Sequence, residues 1–429
     1  MQTVHEPARD IPVVADVDVL VVGGGPAGFI AATAATRLGA TVMLVERYGC
    51  LGGLATGGLV LYMDCLTDKQ GRRLMGGIPW ETMERLRPMD GLAFDAPLRI
   101  HVDSELLQVV ADDMCMEAGV RLKLHAWAVQ AITESGRVRG VIIESKSGRQ
   151  AILCSVCIDA TGDGDIAALA GAEYESGTEC IGLNMKVAGV DREHYRAFTR
   201  EEPEKARALH DAVRERGGFP LVPNSTPHSD MGIYWINILG MAARGRPGTG
   251  EGADIHAYFA GELSAVDVDD LTHCAVELRR RLTDSLAFFR QNVPGFENIR
   301  LLAFAPQIGV RESRMITGEY ILSQDDVLAA RTFDDAIGMA GIGYAGVGRF
   351  QIPYRSLIPR TIDGLLVAGR CISVDHWTEQ AARLIPAAMV TGQAAGTAAA
   401  MAVQQNISPR RLSHDALRER LAADGAILS

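Results

Sequence analysis

The sequence predicts an α/β protein whose parallel sheet is assembled from two separate stretches of the chain, with an α+β domain inserted between them. Three observations predict this fold. An apolar strand pattern at residues 17–22 runs through a glycine-rich turn into an alanine-rich helix pattern. Further apolar strand patterns follow at 41–45 and 151–158, on either side of a helix pattern at 101–119. After residue 171 the pattern changes to a polar helix at 199–217, a glycine-rich loop at 244–253 and a long amphipathic helix at 263–291. A buried-strand pattern then returns at 362–368 and leads into a helix pattern over 384–403.

The length of the chain indicates more than one hydrophobic core. At 429 residues, with 48% hydrophobic and 22% charged residues, the chain is globular in composition and larger than one core usually supports. We predict a discontinuous first domain over 15–172 and 355–405, and an inserted substrate or cap domain over 173–354. Residues 406–429 are predicted to form a C-terminal helical tail.

The charge balance and the apolar segments exclude two kinds of partner. A formal net charge of -11 disfavours nucleic acid and anionic membrane surfaces, which bind basic patches. The most apolar window, 386–403, is interrupted by polar residues and is typical of a buried helix rather than a membrane span. Eight scattered cysteines indicate reduced thiols. We therefore expect a cytoplasmic protein without a membrane partner, which could form a homo-oligomer.

The first turn carries the glycine fingerprint of a dinucleotide-binding domain. Gly23 permits the tight turn, Gly25 lets the backbone approach a pyrophosphate, and Gly28 allows the helix to pack on the sheet. The helix N-terminus faces the phosphate charge. Glu46 follows Gly23 by 23 residues, at the end of the second strand, where a carboxylate can accept both ribose hydroxyls. These spacings predict a Rossmann-type domain.

Five further segments extend this pattern over nearly the whole chain. They are ERYGCLGG at 46–53, DATGDGD at 159–165, RESR at 311–314, LIPRTIDGLLVAGRCIS at 357–373 and GQAAG at 392–396. With these segments the chain resembles the FAD-dependent oxidoreductase family of the glutathione-reductase-like superfamily. The resemblance implies a Rossmann-type FAD-binding domain and one non-covalent FAD.

The same resemblance implies which residues border the FAD. They are Gly23, Gly25, Pro26, Ala27, Gly28, Glu46, Arg47, Gly52, Gly53, Val129, Ala160, Thr161, Gly162, Gly369, Arg370, Leu384 and Ile385. Within this set, the backbone of Val129 is expected against the adenine. Leu384 and Ile385 open the last long helix and are expected to offer N–H groups to the pyrimidine edge of the flavin, where the helix dipole favours negative charge.

Two arginines are candidates for binding substrate. Arg311 and Arg314 follow an apolar strand pattern, and their guanidinium groups could clamp a carboxylate or carbonyl by paired hydrogen bonds. The alternative is a structural ion pair with Glu312, Glu319 or Asp325. The sequence leaves both interpretations open.

The turn before the last helix holds the remaining catalytic candidates. His376 could donate or accept a proton at the flavin or at a substrate, although a hydrogen-bonded loop histidine fits the sequence equally well. Tyr354, Arg355 and Arg383 flank the same turn and are candidates for anchoring an anion.

The sequence thus predicts an FAD-dependent dehydrogenase or reductase that transfers a hydride between flavin N5 and a small organic substrate. No cysteine and histidine spacing indicates a metal site. The glycine-rich segment 341–348 lacks the following helix of a nicotinamide domain, so the electron donor or acceptor stays unassigned. Two alternatives remain open: a flavin monooxygenase using NADPH and oxygen, and a flavin-carrying electron-transfer subunit of a larger complex.

Overall fold

The structure of the protein is a computed structural model that describes most of the chain. The described residues are 2–68, 70–96, 99–177, 180–243, 246–247, 263–342 and 348–429. Most of the predicted glycine-rich loop at 244–253, and the centre of the glycine-rich segment 341–348, lie outside them.

Helices and strands alternate along both ends of the chain, and short strands dominate its middle. The helices are α1 (Pro26–Arg37), α2 (Gly77–Leu86), α3 (Ser104–Ala118), α4 (Asp165–Leu169), α5 (Arg192–Glu201), α6 (Pro203–Glu215), α7 (Val268–Asn292), α8 (Gln324–Leu328), α9 (His376–Ala382), α10 (Ile385–Gln404) and α11 (His414–Ala423). The strands of the first part are β1 (Val13–Val22), β2 (Val42–Val45), β3 (Tyr62–Met63), β4 (Leu92–Ala96), β5 (Arg99–Val102), β6 (Arg121–Lys123), β7 (Trp127–Glu134), β8 (Arg137–Ser145) and β9 (Gly148–Asp159). The remaining strands are β10 (Tyr174–Ser176), β11 (Ile181–Gly182), β12 (Met185–Ala188), β13 (Pro223–Asn224), β14 (Tyr234–Ile236), β15 (Met241–Ala243), β16 (Arg246–Pro247), β17 (Arg300–Phe304), β18 (Gly309–Val310), β19 (Arg314–Ile316), β20 (Ala336–Ala340), β21 (Phe350–Pro353) and β22 (Leu365–Val367).

A seven-stranded sheet forms the centre of the protein. Its order is β6-β2-β1-β9-β8-β7, with β22 beside the carboxyl half of β9. Strand β1 is parallel to both neighbours, with Leu20 opposite Met43 on one side and Cys157 on the other. Strand β22 is parallel as well, with Leu366 opposite Ile158. A strand from the C-terminal part of the chain thus completes the sheet that the N-terminal part begins, which confirms the predicted discontinuous α/β fold.

Helix α10 packs closely on α1 and so joins the C-terminal part of the first domain to its N-terminal part. A Cβ atom added to Gly392 would lie 2.2 Å from the carbonyl oxygen of Ala27, and one added to Gly396 would lie 2.1 Å from that of Ala31. Only glycine permits this approach, because any side chain would overlap the neighbouring backbone. Seventeen of the residues of α10 are buried.

A second hydrophobic core is built largely from residues 181–310. Two antiparallel four-stranded sheets, β13-β14-β12-β17 and β16-β15-β11-β18, surround it, and α7 packs against them. The mixture of short strands and long helices confirms the α+β character predicted for the middle of the chain. Buried residues between 315 and 352 belong to the first core, and the domain boundaries stay a prediction.

Several predicted helix limits are corrected by the structure. The single helix expected at 199–217 is two helices, α5 and α6, because Pro203 begins a new helix and disfavours a helical residue before it. Helix α3 begins at Ser104 rather than 101, because residues 101–102 belong to β5 and the side chain of Asp103 caps the helix. Helix α11 occupies the predicted C-terminal tail.

Within the described residues, no single helix has the length and apolar character to cross a membrane. Helices α9 and α10 meet that criterion only together, and they are bent by 87° relative to each other.

Candidate functional site

One large cavity lies at the carboxyl ends of the parallel strands and extends to the second core. Its volume is about 600 Å³. Fourteen of the predicted FAD-binding residues line it: Gly23, Gly25, Pro26, Ala27, Glu46, Arg47, Gly53, Ala160, Thr161, Gly162, Gly369, Arg370, Leu384 and Ile385. Ligands of open α/β sheets bind at this edge. The structure therefore brings most of the predicted set together at one site.

The three fingerprint glycines are required for different reasons. A Cβ atom at Gly28 would lie 1.8 Å from the carbonyl oxygen of Gly23, and one at Gly23 would lie 2.4 Å from that of Ala160. A Cβ atom at Gly25 would meet only the Cα of Gly53, at 3.9 Å. Packing within the protein thus explains Gly23 and Gly28, whereas the space beside Gly25 is open to the cavity. That space suits a group that must approach the backbone closely, such as a pyrophosphate.

The N-terminus of α1 supplies donors to the same space. Gly25 is the residue before the helix, and no side chain caps it. The first N–H groups of a helix have no acceptor within the helix, and the helix dipole makes this end partly positive. Gly25, Pro26 and Ala27 therefore form a cradle for an anion, and the chemistry of this cradle fits the pyrophosphate of FAD.

Glu46 holds the turn and offers acceptors to the cavity. One carboxylate oxygen accepts the N–H of Gly24 at 2.6 Å, and the other accepts the N–H of Tyr48 at 2.8 Å. The side chain is buried and lines the cavity. Because each carboxylate oxygen can accept more than one hydrogen bond, Glu46 can still bind two ribose hydroxyls. It therefore fits the role predicted for it and also fixes the glycine turn.

Trp127 is a candidate for the adenine end that the sequence analysis missed. The N–H groups of His125 and Ala126 donate to the carbonyl oxygens of Tyr48 and Glu46. These bonds place Trp127 close to Glu46, the residue expected to bind the ribose. Its side chain is 57% exposed and lines the cavity. Val129, predicted to face the adenine, does not line the cavity. An exposed indole at this position can stack on a base, a contact that no spacing rule predicts.

A chain of ion pairs, in which Asp163 is buried, forms one wall of the cavity. Asp163 binds Arg370 at 2.7 Å and lies 3.8 Å from Arg47, and Asp165 binds Arg314 at 2.9 Å. Burial raises the pKa of Asp163, but the charge and hydrogen bond of Arg370 outweigh burial and hold that pKa below its usual range. Burial and the charge of Asp163 raise the pKa of Asp165, against the opposing effect of Arg314. Two cations of this wall, Arg47 and Arg370, line the part of the cavity where the pyrophosphate is expected.

The loop at 160–162 is held by a buried carboxylate. Asp159, at the end of β9, accepts hydrogen bonds from the N–H and the hydroxyl of Thr161 and from the N–H of Ala167. Burial raises the pKa of Asp159 to about 6, although these hydrogen bonds oppose the shift. The contacts fix the backbone of Ala160 and Gly162 along the cavity.

The N-terminus of α10 points a second set of donors at the cavity. Leu384 precedes the helix without a side-chain cap, and both it and Ile385 line the cavity. The N–H of Gly369 donates to the hydroxyl of Thr391, nearly two turns further along α10, which ties the end of β22 to the helix. This arrangement fits the predicted contact between the helix N-terminus and the electron-rich edge of a flavin.

The candidate catalytic residues separate into two groups. Arg311, Arg314 and Arg383 line the cavity, but His376 does not. Arg314 binds the carboxylate of Asp165 and the carbonyl oxygen of Asp163, so it takes part in an ion pair with a residue that the sequence analysis did not consider. His376 is 49% exposed, and its Nδ1 lies 2.7 Å from the fully buried carboxylate of Glu312.

The other residues that flank the last turn have structural contacts. Tyr354 is fully buried, and its hydroxyl donates to the carbonyl oxygen of Pro409. Arg355 binds Asp335 through Nε at 2.9 Å. Neither Tyr354 nor Arg355 lines the cavity, and both hold the loop before β22 in place. Gly28 and Gly52, from the predicted FAD set, also lie outside the cavity lining and shape the backbone around it.

The second core contributes a wall that the sequence analysis did not find. We call it the substrate wall, and its lining residues are Leu54, Val60, Tyr62, Asp64, Gly182, Asn184, Trp235, Asn237, Ile238, Ala265, Val266, Val268, Leu271, Gln307, Ile308, Gly309, Val310 and Arg311. They come from six separate stretches of the chain, most of them strand ends and loops. Apart from Arg311, which was a candidate from the sequence, these residues carry no local motif, and only the tertiary packing brings them together.

Neither metal ligation nor a covalent flavin link has a candidate among the described residues around the cavity. No group of three or more histidine, cysteine, aspartate or glutamate side chains could hold a metal ion in the described parts of the chain. No cysteine or histidine is among the described residues that line the cavity.

Curated proteins resemble part of the chain. Digeranylgeranylglycerophospholipid reductase 1 of Methanopyrus kandleri is 28% identical over 233 residues, which cover 50% of this chain and 57% of that protein. Thiamine thiazole synthase of Methanococcus vannielii is 26% identical over 157 residues, covering 34% of this chain and 56% of that protein. The chain thus spans about half the length of these curated relatives.

A solved structure and a family model cover more of the chain. A geranylgeranyl bacteriochlorophyll reductase-like protein of Thermoplasma acidophilum has a TM-score of 0.49 at 15% identity, over 96% of this chain and 91% of that one. A family model described as FAD dependent oxidoreductase matches residues 18–421. Since this match spans almost the whole sequence, the chain belongs to the FAD-dependent oxidoreductase family.

Proposed function

We propose that this FAD-dependent oxidoreductase transfers a hydride between flavin N5 and a small organic substrate bound against the substrate wall. The observation that carries the proposal is the continuity of the cavity. One space extends from Glu46 and the N-terminus of α1, past the N-terminus of α10, to Arg311 and the second core. A cofactor and a second molecule could therefore lie in contact within one enclosure.

The residues that would hold the cofactor follow from the geometry. Glu46 would bind the ribose, Gly25 and the N-terminus of α1 the pyrophosphate, and the N-terminus of α10 the flavin edge. When bound, FAD supplies the carrier for the hydride. Because no cysteine or histidine is among the described lining residues, we propose non-covalent binding.

The substrate would be oriented by side chains that reach the cavity from two directions. Arg311 lies between β18 and β19, and Arg383 lies between α9 and α10. The planar guanidinium of an arginine can bind both oxygens of a carboxylate, which fixes the orientation as well as the position of a ligand. The buried side chains of Ile238 and Val310 would exclude water from the same space.

An anaerobic substrate screen tests the proposal. The purified protein is mixed with candidate reductants, or photoreduced and mixed with candidate oxidants, and the flavin absorbance is followed. We expect at least one small organic compound to bleach or restore that absorbance without any other protein. If only a partner protein changes the flavin, the chain is an electron-transfer subunit and the proposal is wrong.

Acid precipitation tests the non-covalent link in the same preparation. We expect the yellow colour to be released into the supernatant, with about one FAD per chain. Colour that stays in the washed pellet would show a covalent flavin.

A further inference from the structure

We propose that the ligand of the substrate wall is an amphiphilic carboxylate: an extended apolar body that ends in one anionic group held by Arg311. This inference rests on the proposed function, because it names the substrate class of the same site. It is carried by the distribution of apolar and charged side chains along the substrate wall.

The apolar part of the wall is extensive and partly uncovered. Ile238, Trp235 and Val310 are buried and form its base. At its outer end Val266 is 45% exposed and Val268 is 72% exposed, and both line the cavity. These exposed valines and the buried apolar side chains line one cavity, so an apolar ligand that covers them removes apolar surface from water and gains free energy. A short, fully polar substrate would leave this surface in water.

The charges of the wall place the anionic group at one end. Only Asp64 and Arg311 are charged among the described residues of the substrate wall. Asp64 lies near the N-terminus of α10, where it also shares a smaller cleft with Leu384. The carboxylate of Asp64 repels an anion, whereas the guanidinium of Arg311 attracts one. Two neighbouring arginines of the cavity already pair with carboxylates, Arg314 with Asp165 at 2.9 Å and Arg383 with Glu379 at 3.3 Å. The anionic group of the ligand is therefore assigned to Arg311, and its apolar body to the side chains of Ile238 and the exposed valines.

A homologous series of ligands tests this assignment through binding. The FAD-loaded protein is titrated with hexanoate, octanoate and decanoate below their micelle concentrations, with the alcohols of equal chain length, and with succinate. Binding is read from the perturbation of the flavin absorbance and from the rise in melting temperature. We expect each added methylene to tighten binding by about fourfold, which corresponds to about 0.8 kcal/mol. The alcohols and succinate should bind more weakly by roughly tenfold or more.

Two variants on one helix separate the wall from the rest of the surface. Val268 and Val276 both lie on α7 and are 72% and 56% exposed, but only Val268 lines the cavity. Val268→Asn should weaken decanoate several-fold and leave hexanoate less affected. Val276→Asn is the matched control and should bind every ligand as the parent does. Arg311→Gln should remove the preference for acids over alcohols.

The outcomes distinguish this inference from the proposed function. The assignment of an amphiphilic carboxylate is overturned if alcohols bind as tightly as acids, if succinate binds as tightly as decanoate, or if both valine variants behave alike. Flavin content is measured in every sample, so a loss of cofactor is detected directly. A carboxylate series that binds as expected, while no compound ever bleaches the flavin, supports the ligand class and contradicts hydride transfer.

Discussion

Alanine at Gly25 should weaken FAD binding without destabilising the apoprotein. Gly25 has φ -67° and ψ -172°, an extended conformation open to any residue, and its added Cβ would meet only the Cα of Gly53 at 3.9 Å. Replacing glycine at such a position stabilises a protein by about 0.4–1 kcal/mol, because the unfolded chain loses freedom. The methyl group would instead occupy the space that we assign to the pyrophosphate.

The size of the effect follows from that overlap. An extra methyl group in a packed site costs about 1–3 kcal/mol, which raises the dissociation constant roughly 5- to 150-fold. Fluorescence titration of the apoprotein with FAD measures the affinity, and a melting curve of the same apoprotein measures its stability. An unchanged FAD affinity would show that no ligand lies beside Gly25.

Gly28→Ala is the matched control for this experiment. Its Cβ atom would lie 1.8 Å from the carbonyl oxygen of Gly23, so the backbone itself must move. We expect the apoprotein to lose about 1–3 kcal/mol of stability or more. Two alanines only three residues apart should therefore act differently: Gly25→Ala weakens FAD binding and spares the apoprotein, whereas Gly28→Ala destabilises the apoprotein itself.

Four further substitutions test the rest of the site. Glu46→Gln leaves one of two backbone N–H groups without an acceptor, so the apoprotein should lose about 1–3 kcal/mol and FAD should bind more weakly; an unchanged melting temperature would contradict this. Trp127→Ala would remove the proposed stacking on the adenine, worth about 1–3 kcal/mol, and should raise the FAD dissociation constant. Because Trp127 is exposed, the melting temperature of the apoprotein should stay near that of the parent. Arg311→Lys should slow the substrate half-reaction in stopped flow at parental stability, whereas Arg314→Lys should lower the melting temperature and keep the parental rate, because Arg314 binds Asp165. A parental reduction rate in the Arg311 variant would remove this residue from the site.

Most residues predicted for the cofactor line one cavity, and the sequence could single them out because their signals are local. A strand, a glycine turn and a helix need only short-range spacing, and β1, α1, β2, β9 and α10 formed close to where the pattern indicated. Glu46 was identified for the same reason, since the length of one strand-helix-strand unit fixes its position.

Apart from Arg311, the substrate wall was not predictable, because its residues meet only in three dimensions. Trp235 comes from β14, a strand of three residues, and Val268 from the first turn of a long helix. Strands this short show no reliable alternation of polar and apolar residues. The partner of Arg314 was missed for a related reason: Asp165 is 149 residues away in the sequence. Such long-range pairs have no periodic signal.

The packing of α10 on α1 has a consequence for the order of events during synthesis. Gly392 and Gly396 complete the contact with the N-terminal helix, and the donors at Leu384 and Ile385 belong to the same late segment. A ribosome releases the chain from its N-terminus, and domains fold when all their parts have emerged. The seven-stranded sheet therefore cannot be completed until β22 and α10 have left the ribosome. We accordingly expect stable loading with flavin only after α10, Ile385–Gln404, has been synthesised.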